Sequence, residues 1–149
     1  MRSIVPPAFI GKAGFPFLLA CAFQADAAMA QHMNASDAPC RGIVVTAELG
    51  QCFAQAGKKA DGELNEVYGK IIKYFDSENR KEDRDALQKA EQLWIGYRDA
   101  NCAAARGLYG QGTAGPVTYL ACLEAETRHR IEDLRKGYGW LLEKSGHPL

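Results

Sequence analysis

The cysteines constrain this chain more than any other feature. There are five among 149 residues, and the odd count becomes even once the N-terminus is read. Arg2 and Lys12 give that end a positive start, and Ala13 to Phe23 form a short apolar run. Ala28-Met29-Ala30 supplies the small-x-small pattern at which a signal peptidase cuts, so residues 1–30 read as a removable signal peptide and Gln31 as the new terminus. The run is shorter than the roughly 20 residues a bilayer crossing needs. Pro16 would also break a buried helix there.

An alternative reading attaches to Leu18-Leu19-Ala20-Cys21, which has the form of a bacterial lipobox. Cys21 would then carry a lipid and anchor the domain to a membrane, although leucine is not the usual residue before the small one. Both routes lead out of the cytoplasm, to a periplasmic or secreted protein or to a lipid-anchored one. Either way Cys40, Cys52, Cys102 and Cys122 remain, and an even set in an exported chain reads as two disulfides. A zinc site is disfavoured, because no CxxC or CxxxC pair occurs and His32, His129 and His147 keep no ligand spacing. No metal and no cofactor is expected.

Four cysteines allow three pairings, and spacing alone does not choose among them. Helix geometry favours one. If a helical hairpin turns at Gly110 to Gly115, Cys102 lies about two turns before the bend and Cys122 about two turns after its start. Antiparallel helices bring those positions level, leaving Cys40 to pair with Cys52. On the loop-entropy account each bridge stabilises by about 3 kcal/mol.

Residues 31–39 are small and polar and read as a flexible leader; residues 40–144 read as the folded domain. Thr46 is a plausible N-cap for a short helix that Gly57 closes. Asp61 caps a second helix to Asp76, with Leu64, Val67 or Tyr68, Ile71, and Tyr74 or Phe75 on one stripe. Asn79 with Glu82 suggests a capping box for a third helix, from Glu82 to Leu108, whose face carries Leu87, Ala90, Trp94, Tyr97 or Arg98, Ala105 and Leu108. Gly110 to Gly115 ends it, and Pro116 opens a fourth helix to about Lys144. Val117, Leu120, Leu123 or Glu124, Thr127, Ile131, Leu134, Tyr138 and Leu141 recur on its inner face. No segment reads as a strand. The expected fold is all-α, a small disulfide-stapled helical bundle dominated by a long antiparallel helical hairpin.

Lysine plus arginine and aspartate plus glutamate stand at 18 each, so the chain offers no general reason to bind nucleic acid. Phosphate loops, nucleophile elbows and HExxH are absent from the sequence. Glu124 and Glu126 are two apart on a helix and point away from each other, which disqualifies them as a glycosidase pair. The chemistry reads as binding rather than catalysis.

The most specific stretch is Trp94-Ile95-Gly96-Tyr97-Arg98-Asp99-Ala100-Asn101-Cys102. It is followed by Gly110 and Gly112, then Cys122 and Thr127-Arg128, and preceded by Cys40, Glu48, Cys52 and Asp61-Gly62-Glu63-Leu64-Asn65-Glu66-Val67-Tyr68. Together these residues resemble the LprI-like lysozyme inhibitor family, over about Cys40 to Leu134. The resemblance implies a helical, extracytoplasmic bacterial protein with paired cysteines that inhibits host lysozyme.

The motif residues carry two readings each. Trp94 reads as core rather than as a contact anchor, and Tyr97 as packed with its hydroxyl at the edge rather than as a contact residue. Arg98 and Asp99 read either as a cross-hairpin pairing with Glu124 or Arg128, or as a polar site. An inhibitor must plug a cleft built on two carboxylates, offer it an acidic face, or both. The exposed loop Gly110, Gln111, Gly112 and Thr113 is the candidate plug. With Tyr97, Arg98, Asp99 and Arg128 it makes up the candidate binding set. Two other readings stand beside this one. One is an envelope interaction module that binds another protein or a cell-wall fragment. The other is a small-ligand carrier lined by Tyr68, Phe75, Trp94, Tyr97, Tyr119 and Tyr138.

Overall fold

The computed structural model describes residues 32–146. The signal segment and Cys21 lie outside the described residues. A 3₁₀ turn at His32–Asn34 leads to three long helices, α1 (Thr46–Ser77), α2 (Lys81–Gly107) and α3 (Ala114–Lys144). No strand occurs among the described residues, and none of their helices is long and apolar enough to cross a membrane. The two bridges are Cys40–Cys52 and Cys102–Cys122, with Cα–Cα separations of 6.0 and 5.5 Å.

The two N-terminal helices expected from sequence are one. Gly57 does not end α1, and Asp61 is not a cap but an interior residue. Gly57 is absent from the glycines with positive φ, so the left-handed step that a glycine stop requires is not taken. The reason is the unbroken stripe Phe53, Ala60, Leu64, Val67, Ile71 and Phe75, all buried. An interior glycine costs about 1 kcal/mol relative to alanine. Burying each large apolar side chain on either side of it contributes about 1.5–3 kcal/mol, so continuity wins.

The expected capping box at Asn79 is also replaced. Asn79 is left-handed, with φ 54°. Its N–H donates to the Asp76 carbonyl at 3.2 Å, and that of Arg80 donates to the Phe75 carbonyl at 2.8 Å. This is a Schellman stop for α1, completed by the Arg80 guanidinium over the Phe75 ring at 5.2 Å. Arg80 then occupies the cap of α2 and donates to Asp83 at 2.8 Å. Thr46 is the first residue of α1 rather than its cap, and Pro116 lies inside the first turn of α3 rather than opening it.

Helix α3 packs most extensively on α1, less on α2, while α1 and α2 touch little. The core falls into two clusters. One gathers Leu64, Val67, Ile71, Phe75, Leu87, Ile131, Leu134 and Leu142, with Tyr68, Trp94 and Tyr138 packed against it. The other gathers Ala38, Cys40, Phe53, Val117 and Ala121. Most of the aromatic set considered for a carrier pocket is thereby spent on packing; Phe75 and Tyr138, for example, meet edge to face at 5.9 Å. The stretch read as a leader is built into the second cluster through Ala38, with Met33 and Ala35 beside it.

A Cβ placed on Gly57 meets nothing within 4 Å. Gly57→Ala is therefore expected to raise stability by about 0.5–1 kcal/mol in chemical denaturation. A loss of stability would mean that the helix breaks at Gly57 in solution.

Candidate functional site

Between the two apolar clusters lies a polar layer, and Arg98 is its centre. The residue falls on the inner stripe of α2, with Leu87, Glu91, Trp94, Cys102 and Ala105 at spacings of three and four, which points its side chain into the bundle. Its side chain is only 16% exposed. The guanidinium donates from Nη1 to Asp61 Oδ1 on α1 at 3.3 Å and to Thr127 Oγ1 on α3 at 3.2 Å, and from Nε to Asp99 Oδ1 at 3.0 Å. It also stacks over Trp94 at 5.2 Å, with the Arg130 guanidinium near the same ring at 5.9 Å. One side chain thus ties all three helices. The geometry supports pairing across helices for Arg98, with Thr127 and Asp61 in place of Glu124 and Arg128, whereas Asp99 bonds Arg98 within α2.

Arg128 serves a second junction. It donates from Nε to the buried Glu124 at 2.8 Å and from Nη1 to Asp37 at 2.6 Å, which fastens the N-terminal segment to α3. Sequence reasoning missed a third pair, Arg130 with Glu91, joined from Nε at 3.0 Å and from Nη2. Its signal was present: Glu91 is a carboxylate on the otherwise inward stripe of α2, and a buried charge there requires a partner.

A shallow groove of about 210 Å³ opens between α1 and α3, lined by Phe53, Gly57, Asp61, Arg98, Leu120 and Thr127 among others. It exposes the edge of the Arg98 layer, where Asp61, Arg98 and Thr127 are already engaged with one another.

The remaining candidates cluster at one end of the bundle. Val117 of α3 lies against Gly50 of α1, so the two helices run parallel from a shared end, where α2 finishes. Gly110 turns the chain with φ 54°. The N–H of Gly112 donates to the Tyr109 carbonyl at 2.9 Å, and a Cβ on Gly112 would come within 3.0 Å of that oxygen. Gln111, Gly112 and Thr113 are exposed, and Thr113 caps α3 without a side-chain hydrogen bond. Leu108 is 71% exposed and Val44 90% exposed at this same end. Tyr97, expected to be packed, is 56% exposed and lies one turn from Leu93, which is 64% exposed, on the outer flank of α2. The structure therefore separates the candidate set. Arg98, Asp99 and Arg128 hold the fold together; Gly110, Gln111, Gly112 and Thr113 form the tip; Tyr97 belongs to a different surface.

Arg98→Ala removes charge-assisted hydrogen bonds and leaves the buried Thr127 hydroxyl without this partner. It is expected to cost about 2–3 kcal/mol in urea denaturation; a change below about 0.5 kcal/mol would mark Arg98 as dispensable to the fold. The Asp37 carboxyl is held below its usual 3.8 by the Arg128 hydrogen bond. Because the folded-state value is depressed, the pair stabilises above pH 3.8 and is lost as pH falls through the lower folded value. Amide exchange over residues 35–40 should accelerate on that descent in the wild type and show no such step in Asp37→Asn. Identical profiles would assign the anchoring to the disulfide and Ala38 alone.

No solved structure matches this chain. The chain is similar to an uncharacterized protein of Rhizobium meliloti, with 32% identity over 106 residues that cover 65% of this chain and 76% of that protein. The family described as Lysozyme inhibitor LprI matches residues 36–134, a span that takes in both disulfides, the Arg98 layer and the tip loop. The chain belongs to the LprI lysozyme inhibitor family.

Proposed function

We propose that this protein inhibits lysozyme outside the cytoplasm by seating the tip of its bundle, the α2–α3 turn, in the enzyme's active-site cleft. It acts by binding and not by catalysis. Family membership supports the activity. Support for the site comes from the apolar side chains left uncovered around the tip, Leu108 and Val44 with Val45. Exposed apolar groups at a braced end can form the core of an interface. Both disulfides lie toward that end, which reduces the entropy the tip loses on docking. Two bridges also suit a periplasmic or secreted location.

One observation favours a second reading. Leu93 and Tyr97, on the outer flank of α2, form an exposed apolar pair away from the tip. An envelope interaction module would use that flank to hold another protein of the cell envelope.

The readings separate in a lysis assay, with lysozyme acting on bacterial cell walls across a dilution series of the oxidised protein. The wild type is expected to inhibit saturably and near stoichiometry, and Leu108→Asp to weaken inhibition by at least about tenfold, or 1.4 kcal/mol, with the helical spectrum unchanged. Full inhibition by the folded variant would remove the tip from the interface. No inhibition by the wild type at large excess would remove this lysozyme as the target and leave the α2 flank as the surface to test.

A further inference from the structure

Among the described residues, one buried side-chain nitrogen has no hydrogen-bond partner: Nε2 of His32. Such an orphan calls for an ion or a water. A ligand atom of His32 lies within 4.8 Å of a carboxylate oxygen of Glu126 and of Cys122 Sγ. The sulfur is committed to the bridge with Cys102 and is no thiolate in the oxidised protein. His129 stands outside that cluster, one turn beyond Glu126 on the same side of α3, with an exposed side chain. A Glu-x-x-His step on a helix presents carboxylate and imidazole together toward a facing element, here the His32–Asn34 turn. Asn101 donates to Glu126 Oε1 at 3.2 Å and orients the carboxylate from outside. The nearby positive charge of Arg128 is already matched by Glu124 and Asp37.

We propose that His32, Glu126 and His129 bind a divalent transition-metal ion of the zinc class, fastening the N-terminal segment to α3 beside the Cys102–Cys122 bridge. Two imidazoles and one carboxylate suit zinc and leave a fourth position to water. The site is independent of the tip and of the inhibitory reading.

The test is calorimetric titration of zinc chloride into the oxidised protein, paired with hydrogen exchange. One saturable site per chain is expected, with exchange at residues 32–38 slowed when zinc is bound. Glu126→Gln keeps an acceptor for Asn101 but loses the charged ligand, and saturable binding should disappear with it, as in His32→Ala. His129 is exposed, so His129→Gln leaves the fold intact and should weaken zinc binding by about tenfold or more. Absence of saturable uptake by the wild type, or an affinity unchanged in His129→Gln and Glu126→Gln, would overturn the site.

Discussion

The guanidinium of Arg98 is the contact on which the arrangement of the three helices depends. Apolar packing alone tolerates sliding, because one leucine-sized contact resembles the next along a stripe. A planar, five-donor group held by Asp61 on α1, Thr127 on α3 and Asp99 on its own helix accepts only one relative placement. The layer costs desolvation energy, and Trp94 stacked against Arg98 and Arg130 offsets part of it. Both apolar clusters are then built outward from a level already set.

This changes the meaning of the motif that carries the family likeness. Tryptophan, arginine, aspartate and cysteine in one short stretch of α2 look like a recognition site in the linear chain. In the bundle, Trp94, Arg98 and Cys102 are joints, Asp99 braces Arg98 from its own helix, and Tyr97 faces outward. The exposed end of the bundle is drawn from plainer residues: a glycine turn, Leu108 and Val44.

Much of the architecture was legible from sequence because local rules governed it. The left-handed step at Gly110 and the levelling of Cys102 with Cys122 follow from the chemistry of helix ends and the pitch of a helix. Where the reading failed, tertiary packing overrode a local preference. Gly57 is a stop signal by composition, yet it lies between Phe53 and Ala60 on a stripe that α3 covers. Asp61 reads as a cap by type, and becomes a counter-ion only because Arg98 arrives from another helix. The polar stretch before Cys40 looks unstructured, since nothing local reveals that Asp37 will meet Arg128 or that Ala38 will be buried. Partners far apart in the chain leave no periodic trace.

Both disulfides belong to the end of the bundle that carries the tip, while the cluster around Ile71, Phe75 and Leu134 contains no covalent link. The molecule is therefore mechanically two-toned, one half sewn and the other merely packed. Thiol chemistry acts on the sewn half alone, so reduction removes the covalent ties of one end and leaves the other with every contact that holds it.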